Sequence, residues 1–204
     1  LLSGIVILNF HGFFITHDFI YSYFSHAFGA LYVRKHFKEE AKENVNTMVD
    51  NILIAFKGVI ERIDWMDDVT KINANEKADT IASQMAYADE LLDDNKLVEY
   101  YLNFPAVVDE GNYYDSVLNL GKASTAYSLS RLRQPVNKTE WPAFVTPAIV
   151  NAFYSSLENT IKFPAGILQG AFFNVDRPHY MNYGGIGFVI GHGKEQHNII
   201  EYLN

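Results

Sequence analysis

The chain has 204 residues, is 49% hydrophobic and 20% charged, and carries a formal net charge of -8. That length and apolar content suit one or two domains with a sizeable core and exclude a disordered or collagen-like chain. With no cysteine, disulfides and thiolate-based metal or redox chemistry are excluded. The 24 acidic against 16 basic residues, with no basic cluster beyond Arg34, Lys35 and Lys38, set nucleic acid aside as a partner.

Residues 1–16 hold an apolar run without Asp, Glu, Lys or Arg, but Asn9 and His11 interrupt it and Asp18 follows. A membrane span needs about 20 apolar residues, and neither a basic flank nor a small-residue cleavage site marks a signal peptide. The chain opens on Leu1 and closes at Asn204 without a turn or capping signal, so a piece of a longer protein is expected. From Ala27 to Ile63 one long amphipathic helix is predicted, with Val45, Met48, Ile52, Phe56, Val59 and Ile63 inward at steps of three or four. Asp67 is the expected N-cap of a second helix whose apolar face is Ile72, Ala78, Ile81 and Met85. An acidic turn from Asp89 to Asn95, a short helix from Lys96 to Leu102 and a linker around Phe104 to Gly111 follow.

A third helix is predicted over Tyr113 to Arg133, with Val117, Leu118, Leu129 and Leu132 inward, stopped by Gln134-Pro135 because proline lacks the donor and disfavours a helical residue before it. Beyond Trp141 charges thin out, and Ile149 to Tyr154 and Thr160 to Phe163 are expected to be strands joined by the polar turn Ser155 to Asn159. Gly184 to Gly191 is apolar and glycine-rich and is expected to open a buried helix. There is no GxSxG elbow, and Gly187 and Gly191 do not make a phosphate loop, since Phe188 and Glu195 stand where that motif needs glycine and Ser or Thr.

Three stretches carry a more specific signal: Val150-Asn151-Ala152-Phe153-Tyr154, Phe163-Pro164-Ala165-Gly166-Ile167-Leu168-Gln169, and Asn182-Tyr183-Gly184-Gly185-Ile186-Gly187-Phe188-Val189-Ile190-Gly191-His192. In order and spacing they resemble the neprilysin-type zinc metallopeptidases. Gly29 to Val33, Asp64 to Asp67 and Leu132 to Trp141 are similar to that family as well. The resemblance covers about residues 25–192 and implies a mainly α fold with a small β portion, comprising part of the family's helical lobe and the start of its thermolysin-like catalytic lobe. The expected division is residues 1–24 as a non-family N-terminal segment, 25–111 as the helical-lobe portion, 112–192 as the start of the catalytic lobe and 193–204 as a non-family tail.

The resemblance also implies roles. Asn151 and Ala152 would anchor a peptide substrate's main chain. An edge strand holds a peptide by adding it as another strand, and a carboxamide offers both donors and an acceptor. A local turn is the competing reading for Asn151. Ile167, Phe172, Phe188 and Val189 would line an apolar pocket for the residue after the scissile bond, although Phe172 and Phe173 suit an ordinary core equally. The family carries HExxH after Val189-Ile190-Gly191. Two histidines four apart lie about 40° apart round a helix, so both reach one Zn²⁺ while the Glu activates its water.

Here the sequence is His192-Gly193-Lys194-Glu195-Gln196-His197. His192 matches the first metal ligand, Gly193 replaces the general base and Gln196 the second ligand, while His197 is offset by about 140°. The family's third ligand lies further downstream. Zinc is therefore the family's cofactor, and this chain is expected not to bind it. The implied partners are peptide substrates, with a homo- or heterodimer open, and the implied location is the extracellular face of the plasma membrane or secretion, which suits the glycosylation pattern Asn137-Lys138-Thr139.

Three readings stand: an endopeptidase acting through metal-activated water, a peptide-binding module without catalysis, and an incomplete product. For the ends, a translated intron and a drifted gene both remain open. The first predicts GGT at codon 193 and AGT or AGC at codon 25, which genomic sequencing checks.

Overall fold

The computed structural model describes residues 20–102, 104, 112–135, 137 and 145–200, with side chains as far as Gly193. The described residues form two compact units, one drawn from 1–31 and 89–146 and the other from 32–88 and 147–204. Helix α1 is Ser25–His36 and α2 is Glu39–Arg62, so the single long helix predicted over 27–63 is two helices. Tertiary packing overrides the continuous pattern: the Phe37 ring meets Tyr87 edge-on at 5.9 Å, and Lys38 is extended at φ -98°, ψ 128°. Glu39 and Glu40 then open α2 with acid at its positive end. Val45 and Met48 are buried as expected, but Val59 is 45% exposed and Ile60 takes the core position at 2%. A step of four from Phe56 reaches Ile60, and both steps fit helical geometry.

Asp67 caps α3, Asp68–Asp79, accepting the Thr70 N–H at 2.8 Å. The cap holds the carboxylate's pKa below its ordinary range. Ala74 and Ala78 face inward on α3, whereas Ile72 is exposed, and Met85 belongs to a strand the sequence did not signal, β1, Ala82–Ala86. Ala-Ser-Gln-Met-Ala has no β-branched residue, so parallel pairing with a later strand, not propensity, makes it extended. At its end Ala86 takes φ 65°, with the Tyr87 N–H donating to Met85 O at 2.8 Å.

The acidic turn is a 3-10 helix, Asp89–Leu92, after which Asp93 caps α4, Asp94–Tyr101. The linker at 105–111 lies outside the described residues. Helix α5, Tyr113–Ser130, is capped by Asn112 and ends in a 3-10 turn, Arg131–Arg133, ahead of Pro135. Its inward residues are Ser116 and Leu120, while Leu118, Leu129 and Leu132 are exposed. The pattern had several apolar stripes to choose from, and packing selected another. In the same unit Tyr101 is half-buried against Phe24 and Phe104, and desolvation pushes its hydroxyl well above the ordinary tyrosine range.

The second unit is organised around a three-stranded sheet in the order β1-β3-β2, where β2 is Phe153–Ser155 and β3 is Thr160–Pro164. β1 runs parallel to β3, and β2 antiparallel to it with Tyr154 opposite Ile161. The hairpin is therefore as predicted, except that residues 149–152 stay outside the strand. Asn159, at φ 49° in the turn, ties the hairpin down. Its Nδ2 donates to Lys77 O and Thr80 Oγ1, and its Oδ1 accepts from Tyr154 Oη. Helices α6, His179–Gly184, and α7, Ile186–Ile200, follow, the latter packed on α2. No helix among the described residues is long and apolar enough to cross a membrane.

Lys162 is buried at the centre of β3 and donates to Glu158 Oε2 at 2.7 Å. Removing Glu158 strands the buried Lys162 charge, whereas an apolar side chain of similar volume at 162 leaves only the part-exposed Glu158 carboxylate, which water solvates. Glu158→Gln is expected to destabilise the chain by about 2 kcal/mol and Lys162→Met by less than about 1 kcal/mol. Denaturant midpoints of the two variants check this.

Candidate functional site

The residues singled out from the sequence all belong to the second unit. Asn151 and Ala152 stand immediately before β2, an edge strand hydrogen-bonded to β3 on one side. Asn151 is exposed, and its Oδ1 accepts the N–H of the next residue, Ala152, at 2.8 Å, a local contact and not a turn. This contact uses one acceptor and leaves the amide group at the surface.

The four candidate pocket residues divide. Ile167 is 4% exposed, in the turn that follows β3, and belongs to the core. Phe172 is 38% exposed beside a buried Phe173. Val189 is half-buried, and Phe188 is 71% exposed. One turn on from Phe188, His192 is also exposed, and the two rings stack at 6.1 Å with 12° between their planes. β2 lies against α7, which brings the strand after Asn151 and Ala152 beside the helix bearing Phe188, Val189 and His192.

Two glycines set this geometry. A Cβ on Gly166 would lie 2.5 Å from Ile149 O and 2.7 Å from Ala148 O, so the segment before Asn151 crosses the turn after β3 in backbone contact. A Cβ on Gly185 would meet Phe172 O at 2.6 Å and Arg177 Nη2 at 2.9 Å. Those neighbours belong to a network that the sequence reading missed. Buried Asn182 accepts from Asn174 N at 3.1 Å and Arg177 Nε at 2.5 Å, and its Nδ2 donates to Asn174 O at 2.9 Å. Asn182 was visible in the motif Asn182-Tyr183-Gly184-Gly185; Arg177 has no local signal, because its partners are carbonyls brought to it by the fold.

As a metal site, this donor set is deficient. A catalytic zinc takes three protein ligands and an open position. At the place of the metal-binding pattern α7 offers the His192 imidazole, followed by glycine, and Gln196 where the second imidazole belongs. No three His, Asp or Glu side chains converge among the described residues. The residues present do not fit a catalytic zinc.

The described residues form a mainly helical chain with a small mixed sheet whose edge strand lies beside α7. The models for peptidase family M13 match residues 17–88 for the N-terminal region and 151–198 for the peptidase region. The chain is 50% identical over 164 residues to neprilysin-2 of Drosophila melanogaster, which covers 80% of this chain and 21% of that protein. It is 42% identical to human neprilysin over 167 residues, 81% of this chain and 22% of neprilysin. Among solved structures, zinc metalloprotease ZMP1 of Mycobacterium tuberculosis in complex with an inhibitor superposes with a TM-score of 0.76 at 34% identity, over 88% of this chain and 25% of that one. The chain belongs to peptidase family M13, of the neprilysin type. It spans about a fifth of the length of the curated relatives it matches.

The glycine contacts give a direct test. Gly166→Ala and Gly185→Ala force a methyl group onto backbone carbonyls and are each expected to cost about 2 kcal/mol or more. Gly191→Ala, within α7 with no atom inside 4 Å of its Cβ position, is expected to be neutral or to stabilise by about 0.5–1 kcal/mol. Thermal melts of the three variants measure it.

Proposed function

We propose that this chain is a portion of a neprilysin-like, zinc-dependent endopeptidase and that, as this chain stands, it neither retains a catalytic zinc nor hydrolyses peptides. The observation that carries this is His192-Gly193-Lys194-Glu195-Gln196 in α7, at the place of the family's HExxH. Gly193 has no carboxylate to take a proton from water, and a glutamine amide is a poor substitute for a second imidazole. Loss of a general base alone costs about 10²–10⁴-fold in rate. In this reading Asn151 and Ala152 hold the substrate main chain. Ile167, Phe172, Phe188 and Val189 form the apolar subsite, and His192 is a single surviving ligand position. The substrates of the parent enzyme are peptides, met at the extracellular face of the plasma membrane or in the secreted space.

A second reading, a peptide-binding module that captures peptides or pairs with an intact relative, is favoured by one feature. β2 is an edge strand, and the exposed Asn151 precedes it, an arrangement suited to strand addition. Elemental analysis of the purified chain is expected to give well under one zinc per chain, with no chelator-sensitive cleavage of a neprilysin-type peptide. Stoichiometric zinc together with such cleavage would overturn the proposal. Binding of an uncleaved peptide without zinc would select the second reading.

A further inference from the structure

We infer that Arg177 is a positioning residue, a clamp that ties the Phe172 segment to α6 and, through the Phe172 carbonyl, steadies the first turn of α7. Its three guanidinium nitrogens reach three acceptors, two in the Phe172 segment and one on α6. Nη1 donates to Ala171 O at 3.0 Å, Nη2 to Phe172 O at 2.7 Å, and Nε to the Asn182 carboxamide at 2.5 Å. Phe172 O also accepts the N–H of Ile186, the first residue of α7, at 2.9 Å. One carbonyl thus receives both the clamp and the head of the helix that carries Phe188, Val189 and His192.

The rest of the site enforces this arrangement. Gly185 leaves no room for a Cβ between Phe172 O and Arg177 Nη2, so the carbonyl sits where any other residue would exclude it. Asn182 is 2% exposed and has its polar atoms engaged by Asn174 and Arg177. This joins the loop between Ala171 and Arg177 to α6, while the bond from Ile186 N–H to Phe172 O joins it to α7. A planar guanidinium spans three acceptors in fixed directions, whereas an ammonium concentrates its charge at one point. Arg177 therefore acts through geometry more than through charge. Phe172 is the half-exposed member of the Phe172-Phe173 pair, so a clamp on its carbonyl sets where that ring stands beside α7.

The consequence for ligand choice rests on the proposed peptide-binding role: Arg177, without touching the peptide, would set how well the apolar subsite distinguishes a large side chain from a small one. Backbone amide exchange in the whole chain tests the clamp independently of that role. In Arg177→Ala the amides of Ile186 and Asn174 are expected to exchange at least about tenfold faster, the loss of a hydrogen bond to a charged group, while those of β3 keep their rates. Arg177→Lys is expected to resemble Arg177→Ala. Unchanged exchange in Arg177→Ala, wild-type behaviour of Arg177→Lys, or acceleration extending uniformly through β3 would each overturn the clamp.

Binding is measured in parallel with two peptides differing by Phe or Ala at one position. The wild-type chain is expected to prefer Phe, and Arg177→Ala to lose several-fold of that preference. An undiminished preference alongside accelerated exchange would overturn the influence on selectivity. If the wild-type chain binds neither peptide, the peptide-binding role fails and exchange alone decides the clamp.

Discussion

Strand β3 is buried from Thr160 through Pro164, and a buried extended segment must find partners for its backbone groups on both sides. β1 supplies one side in parallel and β2 the other in antiparallel pairing. Two segments far apart in the chain, 82–86 and 153–155, therefore become strands because 160–164 requires them. The same demand explains Asn159. A hairpin turn entering a buried strand needs a residue tolerant of positive φ, and asparagine tolerates it while its side chain reaches across to the end of α3. Even the charged residue in β3 is accommodated, because the turn folds Glu158 back onto Lys162.

The candidate site is a by-product of that core. The turn after β3 brings Gly166 under the carbonyls of Ala148 and Ile149, fixing the path into Asn151. Next along the chain comes the loop gathered by Arg177 and Asn182, and then α7. The edge strand is held through the sheet, and α7 by packing on β2 and α2 and by the bond from Ile186 N–H to Phe172 O. In the proposed reading the departure from the family's pattern lies in the composition of α7 at 193 and 196, and the helix stays continuous through Ile200.

The aromatic side chains illustrate how burial sorts residues of one type into different work. Phe163 and Phe173 are at 2% and 1% exposure and fill the core, whereas Phe172 and Phe188 are open to solvent at 38% and 71%. Burying a phenylalanine yields roughly 1.5–3 kcal/mol, so the exposed pair forgoes a gain that their neighbours take. That is the physical content of treating Phe172 and Phe188 as ligand-facing and Ile167, at 4% exposure, as a wall supporting the subsite from behind.

The sequence by itself determined what depends on neighbours along the chain. Asp67 as an N-cap, the stop before Pro135, the Thr160 hairpin strand and the helix opening after Gly185 are local matters of capping, missing donors and periodicity. The departure from HExxH at 193 and 196 is equally legible, because spacing on one helix fixes it. Tertiary structure alone decided what depends on distant partners. Phe37 breaks the first helical stretch because Tyr87 is there to receive it. Ala82–Ala86, with weak strand propensity, is extended because β3 pairs with it. Ile60 displaces Val59 from the core since two stripes satisfied the helical period and only packing could choose. Arg177 differs in having its three acceptors within five or six residues, yet these are carbonyl and carboxamide oxygens that carry no sequence pattern and converge only once the loop has folded.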